Sequence, residues 1–341
     1  HLSLRRQRQM CIRDRRNTYG DASAKYRDFD TDRYGIYGEM TYPLASKWKL
    51  TTGLRQSWVK KTYAGEYHGG GAVQTDHRKL DDSFTTGRVA LAYVLTPSTT
   101  LYGSYGRGYN PGGFNDYAAE PADSEPYKAA ETNSYELGFK FLSADGRYGL
   151  NGSVYLNQVR NNHLLSYDSA TYVVNALNAD TRSKGAELQG NVRLDNGLGF
   201  TAGLSYIDAK ITTAVAGIGD GDVQSGNRVP DVSRWSGTLG VTYRHAMPAF
   251  LGLTAPVLNA RLDYQYVGKR AADPQNHFDL DDYHLLNARL GLANGRAEYY
   301  VWGSNLLNEQ YDLYGYFAPP SVAYGVPARG RTLGVGVSYT F

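Results

Sequence analysis

The last eleven residues read RTLGVGVSYTF (331–341). Leu333, Val335, Val337, Tyr339 and Phe341 occupy one set of alternate positions. Thr332, Gly334, Gly336, Ser338 and Thr340 occupy the other. Such period-two alternation is that of a β-strand with one apolar and one polar face. Chain ends are ordinarily polar and frayed. An alternating strand that finishes on phenylalanine therefore predicts a terminus held in a sheet.

The same pattern recurs upstream. Tyr34, Ile36, Met40 and Tyr42 alternate within 32–42, and Leu50, Leu54 and Trp58 within 49–59. Further segments are 88–95, 101–109, 134–141, 151–159, 185–194, 199–206, 235–243, 258–266, 285–292 and 297–305. With the terminal strand they make thirteen candidate strands and no convincing amphipathic helix. The polar faces carry charge: Glu136 and Lys140 oppose Leu137 and Phe139, and Arg261 and Asp263 oppose Leu262 and Tyr264. Apolar faces tend to end in Tyr or Trp, which suits the aromatic girdles at the two bilayer interfaces.

Composition agrees with that reading. The chain of 341 residues holds 30 Tyr, 39 Gly, 10 Phe, 3 Met and 1 Cys. Its mean hydropathy of −0.50 is that of a water-soluble protein. No run of about 18 apolar residues is present, so no membrane helix is expected. A transmembrane β-barrel escapes that test, because only every second residue meets lipid. The lone Cys11 excludes an internal disulfide framework. The net charge of +3 comes from residues 1–16, HLSLRRQRQMCIRDRR, with six Arg and one Asp. The rest carries 30 basic and 32 acidic residues, which is no nucleic-acid surface. Segment 1–16 lacks the apolar stretch of a signal peptide and resembles translated adapter sequence. It is expected to be foreign or disordered, with residues 17–341 forming the barrel part.

Connection lengths give an independent test. Short links fall at 43–47, 96–100, 143–147, 195–197 and 293–295. Long ones fall at 62–79, 110–131, 212–233, 268–282 and 307–328. The two kinds alternate, as short periplasmic turns and long extracellular loops do. The link near 245–256 is too long for its slot, and the one at 166–171 is brief.

GRGYNPGGFN (106–115) brings in a resemblance. A strand followed by this Gly-rich turn resembles a segment of TonB-dependent outer-membrane receptors. ETNSYELGFK (131–140), VVNALNADTRSKGAELQG (173–190), VWGSNLLNEQYD (301–312) and GVPARGRTLGVGVSYTF (325–341) resemble further family strands, in the family's order. The resemblance covers roughly residues 33–341. It implies an all-β fold, a transmembrane antiparallel β-barrel of about 22 strands, of which the thirteen read here are a part. No plug domain, TonB box or signal peptide is legible in this sequence. The implied function is TonB-energised uptake of a ferric siderophore, or of a similar large and scarce ligand, across the outer membrane of a Gram-negative bacterium. Implied partners are the TonB complex, through the plug, the lipid bilayer, and the outer-membrane assembly machinery. The assembly signal is carried by Tyr339 and Phe341. The alternative is a passive porin-like or structural barrel.

Some residues have bland readings beside functional ones. Pro111, Gly112 and Gly113 read first as an ordinary turn. Gly185 allows a bulge or a close contact. Glu136 and Glu187 are expected to face the lumen and to serve structure. Ligand contacts are expected at Arg107, Tyr109, Phe114 and Tyr117 at one strand–loop junction, at Arg228 in another loop, and at Tyr314 and Tyr316 in a third that Tyr311 and Phe317 also crowd. Arg and Tyr suit an oxygen-rich, anionic chelate through charge-assisted hydrogen bonds and stacking. Seven His (1, 68, 77, 163, 245, 277 and 284) form no H-x-x-x-H or H-E-x-x-H pattern, and no G-x-S-x-G elbow occurs. No enzyme, resident cofactor or metal is expected. The acidic stretches at 217–222 and 279–282 lack the spacing of a calcium loop.

Overall fold

The structure, a computed structural model, describes residues 2–9, 17–19, 23–69, 72–115, 126–168, 173–216, 221–250, 252–319 and 321–341. Each of the thirteen segments read from sequence falls on a strand, overrunning it by two residues at most, although several strands continue well past the segment. They are β1 (Ser23–Ala45), β2 (Trp48–Gly69), β3 (Ala72–Thr96), β4 (Thr99–Asn110), β5 (Ala130–Leu142), β6 (Tyr148–Asp168) and β7 (Val173–Arg193). Then follow β8 (Leu198–Ile211), β9 (Trp235–Ala246), β10 (Val257–Val267), β11 (Tyr283–Asn294), β12 (Ala297–Ser304) and β13 (Thr332–Tyr339). Every strand pairs antiparallel with its neighbour in the chain. No helix long and apolar enough to cross a membrane occurs among the described residues.

Residues 1–16 were expected to stay out of the fold. Leu2–Gln9 instead lies as a strand along β1, from Leu2 opposite Gly38 to Gln9 opposite Thr31. Residues 10–16 lie outside the described residues. With Leu2–Gln9 and the short Asn17–Tyr19, the sheet has 15 strands. Its ends are Leu2–Gln9 and β13, which are not hydrogen-bonded to each other.

The two faces differ as the alternation demands. On one face Leu54 is 69% exposed, Leu137 64% and Val335 82%. Register puts like with like in rows across that face: Leu188 opposite Leu204, and Val301 opposite Val335. An apolar surface of this extent on a folded wall is a lipid contact. The other face carries Glu136, Glu187, Tyr102 and Tyr155 around a polar groove. There the Tyr102 hydroxyl donates to Glu136. The groove is the lumen side, as expected for both carboxylates.

The connections sort onto two rims. One rim has short turns at 46–47, 97–98, 143–147, 194–197 and 295–296, plus the longer 247–256. Gly197 shows why one such turn needs glycine: its φ is +87°, and a Cβ there would stand 2.0 Å from the Arg244 carbonyl oxygen. On the other rim the expected loop at 62–79 is mostly strand, because β2 and β3 run on to Gly69 and Ala72. Above the bilayer both faces of a strand meet water or protein, so the apolar–polar contrast that marks a strand fades there. The brief link near 166–171 has the same cause, with β6 and β7 running on to Asp168 and Val173. Gly185 forms no bulge. It stays in register opposite Tyr155 and Ile207, and a Cβ would lie 2.5 Å from the Tyr206 carbonyl oxygen. The β6–β7 irregularity falls instead between Val159 and Asn162, where Asn161 takes φ +49°.

Candidate functional site at the loop-bearing rim

Three long connections fold onto one another at the second rim. Their base is a small apolar core of Leu164, Leu177, Ala179, Ile211 and Val223. The 268–282 connection is built on asparagines. Asn276, at φ +61°, accepts from the Arg228 amide at 2.7 Å and donates to the Arg228 carbonyl at 3.0 Å. Asn227 donates to the carbonyls of Pro274 and Gln275. Gln275 then reaches the buried Ser166 of β6 at 3.0 Å. Asn305, φ +51°, shapes the chain after β12 by donating to Glu309 O and accepting from Glu309 N. Asn305 and Asn308, at the ends of the NLLN stretch (305–308), and Asn276 have a structural purpose: a polar side chain that tolerates a left-handed backbone and ties down the loop.

Arg270 joins all three connections. It is 6% exposed, its Nη2 donates to the carbonyls of Asp312 and Leu313, and its Nε lies 3.4 Å from Asp231. Its guanidinium sits over the Tyr283 ring. Nη1 is buried with no hydrogen-bond partner among the described residues. Burial pushes the Asp231 carboxyl above the usual range, and the nearby Arg270 charge pulls it back down.

Above this frame lies a cleft of about 530 Å³. The hairpin Asp312–Ala318/Val322–Pro327 supplies Tyr314, Tyr316 and Phe317. Tyr316 packs on Tyr167 of β6 at 4.7 Å and on Tyr324 at 5.7 Å. Burial, then the neighbouring Tyr314 and Tyr324, raises the Tyr316 phenol above its ordinary value. Phe317 stacks on His277 at 4.1 Å and 13°. His277 is held by Asp273, which takes both its ring Nδ1 at 2.8 Å and its amide at 3.0 Å. The cleft thus offers aromatic faces, phenol donors and two oriented imidazoles, His277 and His163, the latter held by the Lys128 carbonyl at 2.7 Å. Such a set grips a large, flat, oxygen-rich solute by stacking and hydrogen bonding.

The expected contacts divide. Tyr314 and Tyr316 line the cleft. Arg228 neighbours it, through Val229 and Pro230, but pairs with Asp279. Tyr109 and Phe114 belong to a different part of the wall. Tyr109 stacks on Phe84 at 4.0 Å and donates to Asp82, while Phe114 is 6% exposed and lies against Tyr63. Pro111, Gly112 and Gly113 are buried beside it, with Lys61 donating to Gly112 O. Arg107 shares a face with Tyr105 and Tyr135, on the outer side, and pairs with Glu131 at 2.9 Å. It points away from the mouth. Tyr117 lies outside the described residues. Phe317, of the same aromatic run as Tyr314 and Tyr316, lines the cleft with them. Sequence reasoning missed Tyr167, His277 and Arg270, which come together through loop packing that no local spacing encodes. Among the described residues no three His, Cys, Asp or Glu gather as metal ligands. Of the 279–282 carboxylates, Asp279 meets Arg228 and Asp281 meets Lys269.

Residues 3–308 match the family described as TonB dependent receptor-like, β-barrel. The chain belongs to that family. It is 27% identical over 315 residues to the pesticin receptor of Yersinia pestis, covering 89% of this chain and 43% of the relative. To the metal-pseudopaline receptor CntO of Pseudomonas aeruginosa it is 26% identical, covering 86% of this chain and 39% of that one. The chain thus spans less than half the length of these relatives. In fold it resembles the crystal structure of the ferric yersiniabactin uptake receptor FyuA from Yersinia pestis, with a TM-score of 0.79 and 23% identity. That match covers 94% of this chain and 47% of FyuA. The siderophore receptor PiuA of Acinetobacter baumannii follows at TM-score 0.71 and 20% identity, covering 92% and 44%. Members of the family are receptors and transporters, not enzymes, and lie in the outer membrane of Gram-negative bacteria. The alternating wall is therefore a lipid-facing outer-membrane wall.

Proposed function

We propose that the chain is the barrel part of a receptor for TonB-energised uptake of a ferric siderophore. The observation that carries this reading is the aromatic cleft of Tyr167, Tyr314, Tyr316, Phe317 and His277 at the loop-bearing rim. Support also comes from relatives and structural neighbours whose names are those of siderophore receptors. The iron is cargo, carried in as a chelate, and no resident cofactor takes part. In the whole receptor the TonB complex acts through the plug, and β13 with Tyr339 and Phe341 acts as the signal for membrane assembly.

Affinity of the full-length receptor for defined ferric siderophores tests the mouth. Tyr316→Ala and Tyr167→Ala should each weaken binding about tenfold, the loss of one stacking contact of roughly 1.5 kcal/mol. Unchanged affinity in both variants would remove the cleft from the site. Uptake in cells with and without TonB separates the energised receptor from a passive porin, since passive entry persists without TonB.

A further inference from the structure

The rim of short turns has one exception, the 247–256 connection after β9. The stretch AMPAFLGLTAPVL (246–258) holds no charged residue. Four of the other five turns on that rim carry charge: Lys47 in one, Asp145 and Arg147 in the next, then Asp195 and Arg296. Arg147 and Asp195 pair across two of these turns. A long apolar turn set among charged ones costs free energy in water and calls for cover of another kind.

The backbone of the turn is largely satisfied from within. Met247 N donates to Pro256 O at 2.8 Å and closes the base. At the tip Leu253 N donates to Phe250 O at 2.9 Å and Phe250 N to Leu253 O at 3.3 Å, with Gly252 at φ +80° between them. Ala255 N donates to the side-chain oxygen of Asn294, at the end of β11, at 3.1 Å. Pro248 and Pro256 have no N–H to satisfy. Irregular backbone at the edge of a bilayer requires pairing of this sort. The side chains turn to the lipid side. Met247 and Phe250 stand with Leu258, Leu292, Tyr299 and Val337 around a groove of about 730 Å³ that no charged side chain lines. Register joins the last four in one row across β10–β13, near the rim, and alternation places that row on the outward face. Tyr299 is 55% exposed and Val337 63%. The groove is thus continuous with the lipid-facing band.

We infer that the 247–256 turn is a foot set into the periplasmic leaflet of the outer membrane, with a phospholipid acyl chain in the groove between foot and wall. Met247 and Phe250 lie at the boundary of headgroups and acyl chains, where apolar side chains of surface-bound segments bury themselves. Leu253, directly opposite Phe250 in the tip pair, lies there with them. The neighbouring turns, of two to five residues, end at the headgroups. This one anchors the β9–β10 hairpin in the leaflet itself. The extra length of the connection and its lack of charge then have one cause.

The test uses full-length receptor in phospholipid vesicles. Nitroxide labels are attached at Phe250→Cys and at Leu253→Cys, in a background free of other cysteines. Spin-label collision rates are measured with oxygen, which concentrates in the bilayer, and with a water-soluble nickel chelate. Both labels should favour oxygen several-fold, and a label at Lys47→Cys, in the charged turn 46–47, should favour the nickel chelate. Labels at 250 and 253 that are open to the nickel chelate overturn the inference, because the turn then stands in water. Labels shielded from both reagents also overturn it, because protein then covers the turn. Wild-type receptor provides a check that needs no substitution. Phospholipid with a photoreactive diazirine in its acyl chain should mark the peptide that holds 247–256. An unmarked peptide there, beside marked β10–β13, overturns the inference. None of these readouts depends on siderophore binding.

Discussion

Two arcs of one wall solve the same problem differently above the bilayer. Strands β1, β2 and β3 have 23, 22 and 25 residues, more than twice the roughly ten needed to cross. Their surplus rises on the order of 40 Å at the usual strand rise. It is held by packing on its inner side, where Val59, Tyr63 and Tyr67 are buried and Phe29 and Phe114 lie against Tyr63. In the arc from β8 to β11 the strands stop after 11 to 14 residues. There the chain passes to loops that pack on each other and enclose the cleft. Within the bilayer the two arcs are alike. The difference lies in where the alternate positions find partners once lipid is gone: in a sheet's own aromatic ladder, or in loop asparagines and one buried arginine.

The largest expected effect breaks the first arc alone. Tyr63→Ala removes a buried ring and should cost about 3–4 kcal/mol. Hydrogen exchange should show lost protection in the upper parts of β1–β3 and unchanged protection in β9–β12. If the loss spreads to β9–β12, the arcs are not independent. Next comes the shared part. Leu239→Arg, at an outward position 56% exposed, should cost roughly 2–4 kcal/mol for folding into vesicles if it lies near the bilayer middle. Asp30→Arg, above the band, should cost almost nothing. Equal costs would break the height assignment.

Arg270→Ala acts on the second arc. Two backbone carbonyls lose their donor and the half-exposed Asp231 loses its partner, for roughly 2 kcal/mol. Protease nicking within 268–282 and 305–331 should rise while β1–β3 stay intact. The smallest effect is a pH dependence. Burial raises the Asp231 pKa in the folded state, so its contribution to loop-cluster stability is full below the unfolded value of about 4 and is lost as pH rises through the folded value. Asp231→Asn should flatten that slope, read as loop protection between pH 4 and 7.

The wall was legible because lipid makes alternation strict, and all thirteen strands were placed. Strand length was not, since Thr62, Glu66 and His68 face outward above the band as Tyr63 and Tyr67 face inward, and such a run of Tyr, Gly and polar residues reads as loop. The cleft was half legible. Tyr314 and Tyr316 stood out as an aromatic run, whereas Tyr167 is brought to His277 and Arg270 from more than 100 residues away in sequence. Arg107 shows the reverse failure: residue type suggested a ligand contact, and strand parity puts it on the outer side.

The apolar core under the cleft has a consequence of another kind. Leu164, Leu177, Ala179, Ile211 and Val223 lie above the membrane and pack as a soluble protein does. A patch with its own buried core can melt, refold and mutate as a unit without disturbing the wall that carries it. Selection on what the cell captures can then rewrite this head while leaving the lipid-facing strands alone. New specificities become a matter of replacing a cap, and the old scaffold is kept.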